Sequence, residues 1–349
     1  MTPLRILAST ITALAVVSCA NNKGGNYDIL HVQNLFPQFS PSIYYAAAKA
    51  GVPIVQAVRN YRLVCASANL FRNGRYCSDC VGRVPVPAIL HACYRSSRLA
   101  TASVVGMQTA HKLMGTWHNK VGCYVALTKY VKDRLVEGGY PEKLIKVKPN
   151  FVSAVDLPDV SSSAGDYALY VGRLTAEKGA AWLTDVWSRS GINLPLKMVG
   201  EGDSKITSQP ESSSYGGGHI EFLGRLPSSE TYRMMRSAKF LIVPGQWPEP
   251  FGRIVIEAYA FGTPVLAARA GGLSELVQHG ETGFLFEAGD ESSFLAHART
   301  MLDQPHVLHD MGLRARQAYL ELYTPEKNYG QILDIYMDLL AGQPGRSTR

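Results

Sequence analysis

The chain has 349 residues, 46% hydrophobic and 18% charged, which suits about two globular domains and excludes a disordered chain or a polytopic membrane protein. Its 32 glycines and 19 prolines follow no repeat, which also excludes a collagen-like protein. The net charge of +7 is uneven: residues 1–158 hold 18 Lys/Arg and 6 Asp/Glu, a net +12, whereas residues 159–349 hold 17 and 22, a net −5.

The N-terminal segment allows two interpretations. Residues 6–17 are moderately apolar and run into a Val-Val-Ser-Cys sequence at 16–19 that resembles a bacterial lipoprotein cleavage box, so a signal peptide is one interpretation. We favour the other, a leader before the first strand, because the later motifs indicate cytosolic chemistry. The segment is too short to span a bilayer, and no other segment has 18 uninterrupted apolar residues, so we expect no integral membrane protein.

The first half alternates apolar runs with helical patterns. Strands are predicted at 27–32, 53–58 and 121–127, and helices at 42–50, 97–117 and 130–137. This alternation is typical of a mostly parallel sheet covered by helices. His31 near the end of the first of these strands faces a cleft between domains or is a satisfied, half-buried histidine. Along the helix at 97–117, a stripe at roughly helical spacing is predicted to be core rather than a membrane-docking face: Leu99, Val105, Leu113, Met114 and Trp117.

A polar stretch rich in turn residues at 159–165 predicts a linker, and a second α/β series follows it. Strands are predicted at 167–171, 194–199, 220–223, 240–243, 264–267 and 283–286, with helices from 179, near 229–236, and from 252 and 272. The end of the chain is helical, at 291–302, 313–322 and 328–340. We therefore predict an N-terminal domain at 1–158 with a Cys-rich insert at 62–95, a C-terminal domain at 159–326, and a helix and tail at 327–349 packing back toward the N-terminal domain.

Two cations lie in a loop that opens a predicted helix. Arg173 and Lys178 follow directly after a predicted strand, within the glycine-bounded loop 172–179. A planar guanidinium and a point charge beside a helix N-terminus can neutralise a diphosphate. Taken alone, this pair is better explained as two cations on a solvated loop, and the second motif changes that interpretation.

Two carboxylates flank the start of a later helix. Glu249 lies in the loop before Gly252 and Glu257 lies inside the helix, with seven residues between the two glutamates. Each carboxylate can accept hydroxyl hydrogen bonds, and the backbone N–H groups of the helix N-terminus between them can hold phosphate. Together with the Arg/Lys loop, the glycine turn at Gly200 and a glycine pair at 271–272, these residues predict a nucleotide-sugar site rather than a solvated helix.

Several segments resemble the retaining glycosyltransferases of family 4, among them GRLTAEKG at 172–179, EPFGRIVIEA at 249–258 and GGLSELVQHGETGFLF at 271–286. The resemblance covers about residues 27–340 and implies the GT-B fold, which consists of two facing Rossmann-like, doubly wound α/β domains. It implies a nucleotide-sugar donor on the C-terminal domain and an acceptor on the N-terminal domain. By this resemblance Arg173 and Lys178 hold the diphosphate, Glu257 the ribose and Glu249 the transferred sugar, and the donor site is completed by Gly172, Gly200, Phe251, Gly252 and Arg253.

The resemblance also implies catalysis without a metal, because the cations and the helix dipole stabilise the leaving diphosphate. The sequence departs from the pattern of this family in two places. Arg59-Asn60-Tyr61-Arg62 stands where relatives commonly have His-Asn-Tyr-Arg. In addition, relatives open with a strand, a glycine loop and a helix before the counterpart of the segment at 27, so we expect the first strand–helix unit to be missing and the N-terminal domain to be shortened.

Four cysteines form a separate motif. Cys65, Cys77, Cys80 and Cys93 fall within 29 positions around a central C-x2-C, a spacing that resembles a structural tetrahedral zinc site. Two disulfides and four buried thiols are the alternatives, and a reducing cytosol disfavours the disulfides. Apart from this structural zinc we expect no cofactor.

The function that these observations favour is sugar transfer from a nucleoside-diphosphate sugar to a glycan or lipid-linked acceptor, with retention at the anomeric carbon, in bacterial surface polysaccharide synthesis. A nucleotide-sugar epimerase of the same fold and a non-catalytic nucleotide-sugar-binding subunit are the alternatives. The excess of cations in the first half has two interpretations. It forms a surface that contacts an anionic membrane, or it is a basic face exposed to solvent. The first half has no Lys/Arg run and no nucleic-acid module, so we expect no nucleic acid partner and a cytoplasmic protein, peripheral on the inner membrane face.

Overall fold

The computed structural model describes residues 6–8, 27–34, 36, 39–153, 165–207 and 219–342. Most of the predicted leader and the predicted linker up to residue 164 lie outside these ranges. The chain divides into two compact units. The first comprises Met1–Leu70, Ser78–Pro149 and Tyr329–Arg349, and the second comprises Phe71–Cys77 and Asn150–Asn328.

The elements before Pro149 build a parallel sheet with helices. Its strands are β1 (Ile6–Ala8), β2 (Ile29–Val32), β3 (Ile54–Val58), β6 (Cys123–Ala126) and β7 (Ile145–Val147), paired in this order, while β4 (Phe71–Arg72) and β5 (Arg75–Tyr76) form a separate antiparallel hairpin. The helices are α1 (Ser42–Lys49), α2 (Val86–Leu90), α3 (Arg98–Leu113), α4 (Thr116–Asn119) and α5 (Lys129–Glu137), and a 3-10 turn lies at Glu142–Leu144. The strands predicted from periodicity in this half and the helices at 42–50 and 130–137 are confirmed, the helix at 97–117 is observed as α3 and α4, and β7, α2 and the hairpin were not predicted.

The N-terminal residues contribute a strand. Ile6, Leu7 and Ala8 pair in parallel register with Ile29, Leu30 and His31. The prediction that these three residues belong to a leader is therefore wrong. The prediction that the first sheet lacks a strand before β2 is also wrong. Pairing satisfies those backbone N–H and C=O groups of this edge strand that face β2.

The helix predicted at 97–117 is broken at Gly115, which has a left-handed φ of +65°. Val105 and Trp117 are buried as predicted. The core prediction is wrong for Leu99, Leu113 and Met114, which are 85%, 84% and 56% exposed. The buried face of α3 is formed instead by Thr101, Val104 and Val105, which lie at the other side of the helical turn.

The elements from Ala168 onward form the second sheet and the C-terminal helices. The strands are β8 (Ala168–Val171), β9 (Leu196–Val199), β10 (Ile220–Gly224), β11 (Phe240–Val243), β12 (Val265–Ala268) and β13 (Gly283–Phe286), all parallel in the order β10-β9-β8-β11-β12-β13. The helices are α6 (Ala180–Ser188), α7 (Ser204–Thr207), α8 (Ser228–Ser237), α9 (Arg253–Ala260), α10 (Leu273–Leu276), α11 (Glu291–Asp303), α12 (Pro305–Leu322) and α13 (Pro325–Ala341). The predicted strands and helices of this half are confirmed.

The first sheet is covered on both faces, although its described strands follow chain order without a reversal. On one face, Tyr44 of α1 donates a hydrogen bond to Gln56 of β3, and Tyr124 of β6 donates to the carbonyl of Trp117 at 2.6 Å. On the other face, strand residues including Val55 pack against Ile335 of α13. Successive strand side chains point to opposite faces, so each strand contributes to both layers.

The division between the units falls at Pro149, before the predicted boundary at 158. The N–H of Val152 donates to the carbonyl of Tyr323 at 3.1 Å, and the Tyr319 hydroxyl donates to the carbonyl of Val152 at 2.9 Å. These bonds attach the segment after Asn150 to the end of α12. Helix α13 starts in the second unit and belongs to the first from Tyr329 onward.

Candidate functional site

The strand order of the second sheet reverses between β8 and β11, which are parallel neighbours. In open α/β sheets, ligands bind beyond the carboxyl ends of the strands at such a reversal, because the loops there diverge and leave a crevice. Arg173 and Lys178 follow β8, and Glu249 and Gly252 follow β11. The fold therefore brings the two predicted motifs, which are about 75 residues apart in the chain, to one edge of one sheet.

Direct contacts join these two loops. The backbone N–H of Gln246 donates to the carbonyl of Glu177 at 3.0 Å, and Lys178 Nζ lies 2.5 Å from Glu249 Oε2. Helices α6 and α9 start directly after Gly179 and Gly252, which both have left-handed φ angles and no side-chain cap. The first N–H groups of both helices are therefore available to an anion.

Glu249 is the centre of a small polar cluster. Its Oε2 atom accepts from Lys178 Nζ and from the indole Nε1 of Trp247 at 3.1 Å, and the ammonium lies 5.0 Å from the centre of that indole ring. The side chains of Lys178 and Glu249 are only 26% and 15% exposed. Among the described residues, the second carboxylate oxygen of Glu249 has no partner, so it can accept from a ligand hydroxyl.

Glu257 forms a second carboxylate site one helical turn into α9. Its Oε1 atom accepts from Arg253 Nε at 3.0 Å, and its side chain is 14% exposed while that of Arg253 is 62% exposed. Burial raises the pKa of Glu257, and the neighbouring Arg253 opposes that rise. A half-desolvated carboxylate of this kind gains free energy when two ligand hydroxyls donate to it.

Arg173 lies on the exposed side of the site. Its guanidinium is 3.2 Å from Glu177 Oε1, and its carbonyl accepts from the Tyr170 hydroxyl at 2.7 Å. Gly200 lies against this loop with a φ of +143°, and a Cβ atom there would come within 1.8 Å of the Gly172 carbonyl oxygen. The close approach of these two turns, with the positive φ, requires glycine at position 200.

The remaining predicted donor residue is Phe251, whose side chain is buried and packs edge-on against Tyr323. Its backbone N–H remains a predicted phosphate contact. Trp247 was not predicted, although it lies two residues before Glu249, because a tryptophan in a loop resembles a core residue until its indole N–H is seen to meet a carboxylate.

The four cysteines of the predicted zinc site are not gathered into one. Across the described ranges, which include all four, no group of three or more His, Cys, Asp or Glu side chains is arranged to hold a metal ion. Cys65 Sγ lies 3.1 Å from Ser67 Oγ, while Cys80 and Cys93 pack on the cluster around Ala66 and Val105. These residues do not fit a zinc ion, and zinc has no part in the function proposed below.

His31 is a buried structural histidine. Its Nε2 atom accepts from the Gln33 amide at 3.0 Å, and its Nδ1 atom donates to the Tyr336 hydroxyl, which fixes the neutral tautomer. Burial, and then the charges of Arg59 and Lys148, lower the pKa of His31 to about 4. The ring is therefore neutral at pH 7.

Comparison with known protein families covers the second unit. Residues 160–318 match the model of the family described as Glycosyl transferases group 1. The N-acetyl-alpha-D-glucosaminyl L-malate synthase of Bacillus anthracis is 32% identical over 43% of this chain and 39% of its own length. A 42.6 kDa protein of the cps region of Klebsiella pneumoniae is 26% identical over 71% of this chain and 59% of its own length. The chain thus spans roughly two to three fifths of these relatives.

Solved structures extend the likeness to nearly the whole chain. Anabaena HepE in complex with UDP matches 93% of this chain and 81% of its own, with a TM-score of 0.66 and 17% identity. Sucrose-phosphate synthase from Thermosynechococcus elongatus matches 91% and 75%, with a TM-score of 0.62 and 17% identity. The protein has the GT-B fold, as the resemblance implied.

Proposed function

We propose that the protein is a retaining glycosyltransferase that moves a sugar from a nucleoside-diphosphate sugar to a hydroxyl of a glycan or lipid-linked acceptor. The observation that carries this proposal is the cluster of Lys178, Glu249 and the α9 N-terminus at the reversal point of the second sheet. The site combines cations for a diphosphate with carboxylates for hydroxyls. The HepE structure with UDP and the family match of residues 160–318 support a nucleotide-sugar donor.

In the proposed reaction, the bond between the anomeric carbon and the diphosphate oxygen breaks while a bond to the acceptor oxygen forms on the same face of the sugar. The acceptor proton passes to the departing phosphate oxygen, so atoms and charge balance. Lys178 uses one of its three N–H donors on Glu249 and has two left for the diphosphate. Arg173, Lys178 and the two helix N-termini supply positive charge where negative charge develops, and we propose that no metal is needed for this.

Contacts to the donor are proposed residue by residue. Glu257 accepts from the ribose hydroxyls, and the second oxygen of Glu249 accepts from the sugar. The Klebsiella protein of the cps region, together with a phosphatidyl-myo-inositol mannosyltransferase of Mycobacterium leprae that is 27% identical over 73% of this chain, supports a role in polysaccharide or glycolipid synthesis.

The test is a transfer assay on the full chain with UDP- and GDP-sugars and a panel of glycan and lipid-linked acceptors. We expect nucleoside diphosphate release that depends on acceptor, a product with retained anomeric configuration by NMR, and a loss of about 10²–10³ in kcat for Arg173→Ala and Lys178→Ala. Lys205→Ala, an exposed cation of the same unit, is the matched control. Formation of a sugar isomer in the absence of acceptor would indicate a nucleotide-sugar epimerase instead of a transferase. Donor binding without turnover would indicate a non-catalytic binding subunit.

We further propose that the first unit binds the cytoplasmic face of an anionic membrane. None of the described helices is both long and apolar enough to cross a bilayer. One face of α3 instead exposes uncharged residues at helical spacing: Leu99, Ser103, Gly106, Ala110 and Leu113. A solvent-facing helix surface usually carries charges, and this face carries none.

Exposed cations lie close in sequence to this face. Four further apolar side chains are at least half exposed: Val84, Val86, Leu90 and Met114. Four exposed cations lie beside them in sequence: Arg83, Arg95, Arg98 and Lys112. We call these residues, with Leu99 and Leu113, the apolar–basic surface. Residues 80–132 contain no Asp or Glu, so nothing acidic within this segment opposes an anionic lipid surface. Exposed leucines flanked by cations are the combination that interfacial membrane binding requires.

A further inference from the structure

A cavity of about 350 Å³ lies in the first unit, beyond the carboxyl ends of β2 and β3. One part of its wall is aromatic, formed by Phe36, Tyr44 and Trp117. The rest of the lining is mixed: it contains aliphatic residues such as Val58, Leu63 and Met107, the amide residues Asn60 and Gln108, and the two cations Arg59 and Arg62. None of the described lining residues is acidic. The cavity is therefore a cationic pocket with an aromatic side.

Arg62 is held in this wall by aromatic rings rather than by a carboxylate. Its guanidinium carbon lies 4.8 Å from the ring centre of Phe36 and 5.1 Å from that of Tyr94, and Nη1 donates to the carbonyl of Ala66. Gln108 donates to the Arg62 carbonyl, which anchors the backbone. The described residues provide no ion pair for Arg62, so most of its five N–H donors are available to a ligand.

Burial without a counter-ion is costly for a cation. Desolvation lowers the pKa of Arg62, and nothing acidic within the described residues offsets that effect beyond the weak influence of Cys65 and Tyr94. A guanidinium in this position is stabilised when an oxyanion forms two parallel N–H···O bonds with it.

A third cation lies near Arg59, although it does not line the cavity. Lys148, at the end of β7, is 9% exposed and donates to the carbonyl of Pro149 at 3.2 Å. Burial and the charge of Arg59 lower the pKa of Lys148 to about 8, so the two side chains are close enough to repel each other. An anion near them relieves this repulsion, and the neutral His31 beside them does not compete for it.

We propose that this cavity binds an oxyanion, phosphate or carboxylate, of a ligand whose adjoining part is apolar or ring-shaped and lies against the aromatic wall. Arg62 binds the oxyanion through paired N–H donors, and Arg59 adds positive charge at the rim. This proposal rests on the function proposed above, in which the ligand of the first unit is the acceptor. It implies that the acceptor is an anionic compound rather than a neutral glycan.

The test measures binding by calorimetry on the full chain, without turnover. The probes are phenyl phosphate, benzoate, inorganic phosphate and the neutral phenyl glucoside. We expect phenyl phosphate or benzoate to bind at least tenfold more tightly than phenyl glucoside, and whichever anion binds more tightly identifies the oxyanion. Arg62→Gln should weaken this binding at least tenfold, whereas Lys49→Gln, an exposed cation of the same unit, should leave it unchanged.

Two further variants protect the test against misfolding. Arg62→Lys keeps the charge but loses the paired donors, and Arg59→Gln changes an exposed side chain; each should weaken anion binding while the thermal unfolding midpoint is retained. Equal affinity for the neutral and anionic probes, or unchanged anion binding in correctly folded Arg62→Gln, would overturn the proposal.

The donor site is tested separately with UDP. The proposal requires that UDP binding is unaffected by Arg62→Gln and that UDP does not displace phenyl phosphate. Displacement by UDP would assign the cavity to the donor phosphates and overturn the acceptor role. Loss of UDP binding by the intact chain would contradict the donor site instead, so the failures of the two proposals are distinguishable.

Discussion

At the scale of single residues, the same type of side chain serves different ends according to burial. Glu249 and Glu257 are both largely buried in cation pairs, yet each keeps one oxygen without a partner among the described residues. Glu281, paired with Arg314 on the surface, is 58% exposed and meets water instead. Only the first two can therefore gain from a ligand hydroxyl what they lost on desolvation.

Glu257→Ala should weaken UDP binding about tenfold or more. Each hydrogen bond from a ribose hydroxyl to a charged carboxylate contributes about 1.5–3 kcal/mol. The variant leaves Arg253 exposed to water, so little destabilisation is expected. Calorimetry with UDP measures the effect, and Glu281→Ala is the matched control. Equal UDP affinity in the parent and Glu257→Ala would remove Glu257 from the site.

His31 predicts a pH dependence of stability. Its folded-state pKa of about 4 lies below the unfolded value of 6.5, so the unfolded chain binds more protons between these values. The contribution of the neutral ring is complete above pH 6.5 and is lost as the pH falls toward 4, on the order of 3 kcal/mol in total.

In His31→Gln, this part of the decline in unfolding free energy between pH 6.5 and pH 4 should be absent. Urea unfolding across this pH range measures it, with the exposed His309→Gln as control. If both variants follow the parent curve, His31 is not the group that titrates.

At the scale of elements, the start of helix α9 is defined by the glycine that precedes it. Gly252 begins α9 with a φ of +88°, and a Cβ atom there would lie 2.5 Å from Leu273 Cδ2. This turn sets the direction in which α9 leaves the loop that carries Glu249. Gly330, inside α13, has neither a left-handed φ nor a neighbour within 4 Å of a Cβ atom.

Gly252→Ala should lower the unfolding free energy by about 1–2 kcal/mol, because an L-residue is strained in the left-handed region. It should also weaken UDP binding, because the helix N-terminus moves. Gly330→Ala should instead raise the unfolding free energy by about 0.5–1 kcal/mol and leave UDP binding unchanged. Urea unfolding and calorimetry test both variants. An unchanged unfolding free energy in Gly252→Ala would show that the turn tolerates a side chain.

At the scale of the whole molecule, charge separates the two proposed functions. The half with a net +12 carries the apolar–basic surface and the cationic cavity, whereas the half with a net −5 carries the proposed donor site, where a few cations are matched by carboxylates. A basic surface attracts an anionic membrane over a Debye length, about 8 Å at physiological salt.

Binding of the full chain to vesicles of phosphatidylglycerol and phosphatidylcholine should exceed binding to phosphatidylcholine alone and weaken with added salt. Leu99→Ser with Leu113→Ser should reduce it about tenfold or more, because burying one leucine contributes about 1.5–3 kcal/mol. Leu320→Ser, an exposed leucine of the second unit, is the control. No binding to anionic vesicles at low salt would contradict the membrane proposal.

The amino-acid sequence by itself determined the α/β alternation, most strand and helix positions and the donor motifs, because period-2 and period-3.6 patterns and glycine loops are local signals. It did not determine that Leu99 and Leu113 face solvent, since a stripe on a helix does not say which side meets the sheet. Tertiary structure decided this, together with the pairing of Lys178 with Glu249, the lack of a metal-holding arrangement among the four cysteines, and the cavity around Arg62. Each of these depends on contacts between residues far apart in the chain, which no local pattern encodes.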